Sequence, residues 1–296
     1  MTLRQAQGPA PGGQGPAPGP QEAGSDAAPR ARRTSKEWSP ATEQRLRVIA
    51  PITVGILFLA LWQFLVSVVG VSDYLLPSPA AIIEQLVLFW PAILQATITT
   101  GTNALLGLVV GTLAAILLAA LAARWHAVDG MSAPIVAALA VVPIVALAPV
   151  LNSMFGADSQ FGRQAIAALA AFVPVFLNTL RGLRQTLPVH RDLMRSYAAS
   201  GSQEFRAVTL PTAVPYLMTG IRIASSLAVI SALVAEYFGG PRGGLGSSIS
   251  TSAATSAYAR AWAYVAAAIA LGLVFYLATA LLERLVLRRI PSSGAT

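Results

Sequence analysis

The chain has 296 residues, of which 55% are hydrophobic and only 11% charged, and its mean hydropathy is +0.64. Soluble domains carry about a quarter charged residues, so this composition excludes an ordinary water-soluble enzyme and indicates a polytopic, all-α membrane protein. The net charge of +8 is accounted for by arginine on cytoplasmic loops rather than by a nucleic-acid partner.

The absence of cysteine removes thiolate metal sites, cysteine nucleophiles and disulfides. The two histidines, His126 and His190, both lie beside loop arginines, and no metal site or cofactor is expected. Residues 1–47 are rich in Pro, Gly, Ala and Gln and read as a disordered cytoplasmic tail. They are not a signal peptide, because the first apolar run begins only near Val48 and is too long for an h-region.

That run, Val48–Gly70, is the first span. A turn through residues 73–80 leads to a short amphipathic segment ending at Trp90. The second span, Ala92–Ala122, contains Gly107 and Gly111 in the G-x-x-x-G spacing that permits close helix approach. Arg124, His126 and Asp129 form a short polar loop. The third span, Ser132–Phe155, carries Pro143 and Pro149, which free backbone carbonyls and bend the helix. Within a membrane such a break is tolerated where it faces protein or a cavity. Gly156–Arg163 reads as a polar loop and Gln164–Leu183 as the fourth span, with Pro174 inside it.

Pro188–Pro215 is the longest polar interruption between apolar segments. Pro188 suits the first turn of a helix. Val189, Leu193 and Tyr197 recur at i, i+4 and i+8 with Met194 and Ala198 beside them, while Arg191 and Arg195 take another face. Ser200 and Gln203 have capping-box spacing and start a second short helix, with Phe205, Val208 and Thr209 on one side. Leu210 and Pro211 are expected to end it. Two short amphipathic helices about a Ser-Gly-Ser corner are expected to dock onto a partner, the alternative being a basic amphipathic loop resting on anionic lipid headgroups. Tyr216–Phe238 is the fifth span, Gly239–Ser256 a flexible Gly- and Ser-rich loop, and Ala261–Leu282 the sixth span. Residues 290–296 form a C-terminal tail.

Arginines and the sole lysine, Lys36, gather on the N-terminal tail, at Arg124, between Arg181 and Arg206, and at Arg284, Arg288 and Arg289. Arg163, Arg242 and Arg260 are left for the other side. The positive-inside rule then places both termini and Pro188–Pro215 in the cytoplasm. No G-x-x-x-x-G-K-[ST] occurs, so the chain holds no P-loop of its own. Within the spans, Glu236 either lines a translocation cavity or is an interfacial carboxylate, solvated or paired with Arg242. Arg222 is expected to snorkel to the cytoplasmic boundary. Asn103, Asn152 and Asn178 serve either as cavity contacts or as interhelical hydrogen-bonding groups.

Several stretches together resemble a known family. Asp192–Ser200 (DLMRSYAAS), Phe205 and Val208–Leu217 (VTLPTAVPYL) resemble the EAA loop of ABC importer permeases. Gly220–Ala224, Val234–Gly239 and Gly244–Gly246, with Tyr74–Pro79 and Val142–Val150, look like the branch serving sulfonates, taurine, nitrate and pyrimidine-type precursors. The resemblance covers residues 48–289. The usual Glu-Ala-Ala is Asp192-Leu193-Met194 here, and Ala198 stands where the family has glycine. An alanine forced to positive φ costs about 1 kcal/mol, so the corner is expected to turn at Ser200–Gly201 instead.

The resemblance implies a type I importer permease in the bacterial plasma (inner) membrane, without enzymatic activity of its own, driven by a separate cytoplasmic ATPase. A second copy of the chain and an external solute-binding protein would complete the machine. Within residues 184–215, Leu193, Met194, Tyr197 and Phe205 would be docking anchors, and Arg191, Asp192 and Arg195 would give polar registry. Ala198, Ser200, Gly201, Leu210 and Pro211 would shape the corner. Substrate would cross a cavity at the dimer interface, lined by the broken third span and by the fifth, with Pro143, Pro149, Asn152, Asn178 and Glu236 as pathway residues. A small organic solute of the sulfonate, nitrate-like or heterocycle class is expected. The rival readings are an ion-coupled secondary transporter and a membrane scaffold that docks a soluble partner.

Overall fold

The structure is a computed structural model describing residues 40–289 apart from 73, 75, 157, 158 and 240–242, with side chains described from residue 49 onward except at 144 and 145. The expectations for residues 1–39 and 290–296, and for Arg242 as a partner of Glu236, fall outside the described residues. The chain divides into a unit ending at Val54 and a unit running from Gly55 to its end. The first contributes the opening of helix α1, and the fold of the second follows.

Helix α1, Pro40–Val69, is followed by α2, Pro79–Leu88, and α3, Trp90–Arg124. Ser78 caps α2 by accepting from the Ala81 N–H at 3.2 Å, and Pro79 takes its first turn, where a missing N–H costs nothing. The polar loop expected at 124–129 is instead a single residue, Trp125, between α3 and α4, His126–Val141. Asp129 lies in the first turn of α4 and pairs with Arg184 at 2.7 Å.

The third span breaks at Pro143, and α5, Ile144–Phe155, follows. The axes of His126–Val141 and Ala146–Phe155 differ by 101°. Proline has no N–H to return to Leu139, and it forces the preceding residue out of the helical region. Val142 accordingly has φ −66° and ψ 123°. Five helices are long and apolar enough to cross a membrane, and the bent α4–α5 pair makes six. Among the described residues there is no strand.

Helix α6, Phe161–Arg184, and helix α9, Leu210–Phe238, pack together along the middle of this unit, with α3 against α6 and α11, Tyr258–Leu287, against α9. The core between them is built from small residues: Ala104, Ala115, Ala167, Ala171, Ala224, Ala228 and Ala232 are all fully buried. Lipid tails are as apolar as leucine, so helices gain by close van der Waals approach, and small side chains permit it. Gly107 and Gly111 deliver that approach. A Cβ on Gly107 would lie 2.9 Å from the Ala168 nitrogen, and one on Gly111 would run into the Ala168 carbonyl. On the other side of α6, Gly220 of α9 brings its backbone equally close, with 3.1 Å from a built Cβ to Val175 Cα. Large apolar side chains such as Leu57, Phe58, Val110, Leu113 and Leu277 point outward, as a lipid-facing surface requires.

A further loop expectation is corrected. The Gly- and Ser-rich connection contains a helix, α10, Leu245–Ala254. Ser247 and Ser248 both donate to Gly244 O, and Leu245 anchors it fully buried. Arg222, partly exposed, pairs with Glu283 of α11 at 2.9 Å.

Candidate functional site

Between α6 and α9 lie α7, Pro188–Ser196, and α8, Gly201–Glu204. No residue of α7 is buried. Its apolar positions face outward: Val189 is 72% exposed, Leu193 51% and Tyr197 76%. Met194 is half-buried, and Phe205 is exposed. Arg195 pairs with Asp192 at 3.6 Å, and Arg191 reaches Glu204 of α8 at 3.7 Å, tying the two short helices together.

The corner turns at Ala198, not at Ser200–Gly201. Ala198 has φ +50°, and its N–H donates to Arg195 O at 2.9 Å while Ala199 N–H donates to Met194 O at 3.0 Å. These two bonds are the paired closure of a Schellman motif, whose left-handed position usually holds glycine. Gly201 is the first residue of α8 and has nothing within 4 Å of a built Cβ. Ser200 forms the capping box: its Oγ accepts from Gln203 N–H at 3.4 Å, and Gln203 Oε1 accepts from Ser200 N–H at 2.8 Å.

Leu210 and Pro211 do not end the second helix. Residues 201–238 run on as one rod through a π turn, Phe205–Thr209. The Leu210 N–H reaches back five residues to Phe205 O. Pro211 lacks the N–H that would return to Ala207, and its ring needs room against that carbonyl. A widened turn just upstream supplies the room, so the corner is rigidly continuous with the fifth span.

A groove of about 620 Å³ lies along the broken span. Leu139, Ala140, Val142 and Leu147 border it from α4 and α5, Pro174 and Asn178 from α6, and Leu227 from α9. Of the five pathway residues expected from sequence, Asn178 borders this groove and Pro143 makes the break that shapes it. The Asn178 amide donates to Pro174 O within its own helix at 2.8 Å. Pro149 is exposed, and Asn152 packs at Gly239 with its Nδ2 buried and without a hydrogen bond among the described residues.

Glu236 is elsewhere, in the packing between α3, α9 and α10, and is fully buried. It is neither a solvated interfacial carboxylate nor part of the groove lining. Thr100 Oγ1 donates to its Oε2 at 2.6 Å, Asn103 Nδ2 to its Oε1 at 3.2 Å, and Gly246 N–H to its Oε2 at 3.2 Å. Thr100 Oγ1 also accepts from Leu245 N–H at 2.8 Å. Arg163, equally buried, donates to Gln160 Oε1 at 3.0 Å, and Gln160 Oε1 also accepts from Asn103 at 2.9 Å. A carboxylate with this many donors is a structural node that ties α10 onto the bundle.

Residues 107–290 match the family described as the binding-protein-dependent transport system inner membrane component. The chain belongs to this family of importer permeases. The riboflavin transport system permease of Chloroflexus aurantiacus is 32% identical to this permease over 80% of its chain and 88% of the relative. The formylaminopyrimidine transport permease of Halalkalibacterium halodurans is 29% identical over 67% and 78%. Permeases named for aliphatic sulfonates, nitrate and taurine also match, which is the branch the motifs indicated. A crystal structure of an amino acid ABC transporter shares the fold, with a TM-score of 0.56 over 69% of this permease and 96% of that chain, at 16% identity. The permease is therefore a multi-pass protein of the inner membrane.

Sequence reasoning missed the Glu236 cluster in this permease. Glu236 was singled out, but Thr100 and Arg163 were not. Thr100 finds Glu236 136 residues away and Arg163 reaches Gly243 O 80 residues away along the chain, and no local pattern announces such a pairing. The available signal was two polar residues, Thr100 and Asn103, on otherwise apolar helix faces, which have to find partners when buried.

Proposed function

We propose that this permease forms the translocation path of an ATP-driven importer for a small organic solute, with α7 and the corner docking a separate cytoplasmic ATPase. The observation that carries this reading is the outward apolar face of α7, Val189, Leu193 and Tyr197, on a helix with no buried residue. Such a face on a polar segment between spans is unfavourable unless covered. Leu193 and Tyr197 serve as anchors, with Phe205 beside them and Arg191, Asp192 and Arg195 giving polar registry. The α8–π–α9 rod supports transmission, since movement at the corner is carried into the fifth span without a hinge.

A second copy of the chain would complete the path, and an external binding protein would deliver solute. The groove's size falls in the range of small-molecule sites, about 300–1,000 Å³. Its apolar lining with the single amide of Asn178 suits a solute with a heterocyclic part better than a bare inorganic anion. Relatives named for riboflavin and formylaminopyrimidine support that class. The test is Leu193→Asp and Tyr197→Asp, followed by co-purification of the ATPase and ATP-driven uptake. Both are expected to be lost while the permease still inserts and folds. Undiminished recruitment and uptake in both variants would overturn the assignment.

A further inference from the structure

At the end of α9 remote from the corner, a second pocket of about 350 Å³ lies between α10, the start of α11 and Phe89. It differs in chemistry from the groove. Arg260 stacks its guanidinium on the Phe89 ring, 3.8 Å from the centroid. Its Nε is buried and has no hydrogen bond among the described residues. Thr251, Ser252 and Tyr264 bring three hydroxyls to the same pocket, and none of the three has a hydrogen-bond partner among the described residues. Ser252 and Tyr264 are themselves buried.

A stacked guanidinium keeps its in-plane N–H groups free for a planar or tetrahedral oxyanion, the geometry in which arginine binds bidentately. Buried donors in native structures have partners, and here the buried Arg260 Nε has none among the described residues while hydroxyls from α10 and α11 line the same pocket. No carboxylate lines the pocket among the described residues; Glu236 packs against the Gly244 backbone, where Thr100, Asn103 and Gly246 already satisfy it. We propose that this pocket binds an oxyanion group, a sulfonate, phosphate or carboxylate, through Arg260 with Thr251, Ser252 and Tyr264. The group is carried either by a soluble anion or by an anionic lipid headgroup.

The experiment uses the full-length chain in discs of phosphatidylcholine, titrated with sodium sulfate or methanesulfonate against sodium chloride at matched ionic strength. A parallel set of discs contains phosphatidylglycerol. The readouts are the thermal midpoint, which rises with any ligand specific to the folded state, and intrinsic tryptophan fluorescence, to which Trp90, next to Phe89, and Trp262, two residues from Arg260, contribute. A saturable response to sulfate or methanesulfonate in pure phosphatidylcholine identifies a soluble oxyanion, and a response to phosphatidylglycerol alone identifies the headgroup. In either case Arg260→Gln is expected to weaken binding about tenfold or more, because a charge-assisted bidentate contact is removed. Tyr264→Phe and Ser252→Ala each weaken it several-fold and leave the unliganded midpoint in place, so they carry the test if Arg260→Gln does not fold. Failure of the wild-type chain to answer any probe, or an equal answer from all the variants, would overturn the proposal.

Discussion

Ala198 holds a left-handed conformation, φ +50°, that an L side chain adopts at a cost of roughly 1–2 kcal/mol. The Schellman bonds at Arg195 and Met194 hold it there, since losing them would leave the last carbonyls of α7 open. The side chain is exposed, so its methyl contributes little packing. Ala198→Gly is therefore expected to stabilise the protein by about 1 kcal/mol, seen as a higher thermal midpoint, with uptake unchanged. A lower midpoint would show that the methyl is used in a contact this account does not contain. Glu236 teaches the complementary lesson. A carboxylate late in a span reads either as a cavity group or as an interfacial one, whereas three donors and full burial place Glu236 in the packing between helices.

At the scale of elements, local chemistry was legible and long-range chemistry was not. Pro143 announced its break, Ser200 and Gln203 their capping box, and Val189, Leu193 and Tyr197 their common face, because each signal is written within a few residues. The corner's turn was misplaced because glycine content was followed instead of hydrogen-bond closure, and Leu210–Pro211 was read as a stop because a π turn leaves no mark in sequence. Helix α10 was read as a loop because Ser and Thr favour turns in water, whereas in the packed bundle Ser247 and Ser248 bond back to the carbonyl at the helix start. The Gly107–Gly111 spacing was read correctly as a close approach, and the structure supplies its partner, Ala168 of α6. Gly111→Val is expected to push α3 off α6 and to destabilise by about 1–3 kcal/mol, the usual cost of overpacking. Denaturant unfolding in detergent micelles measures it, and an unchanged midpoint would mean that the two helices are not held at this distance.

On the scale of the molecule, the bundle joins a rigid rod to a broken span. The rod runs from the exposed corner through the π turn into the fifth span, and the bend at Pro143 opens the groove beside it. The account rests on a separate protein covering the outward face of α7. Because the chain contains no cysteine, a single Leu193→Cys is a unique attachment point for a thiol-specific cross-linker. The most direct measurement is cross-linking from that position in membranes containing the co-expressed ATPase, with a lipid-facing Val110→Cys as control. The account predicts a permease–ATPase adduct from position 193, lost when Tyr197→Asp is added, and none from position 110. An ATPase that co-purifies and drives uptake without ever forming the adduct at 193 would contradict it.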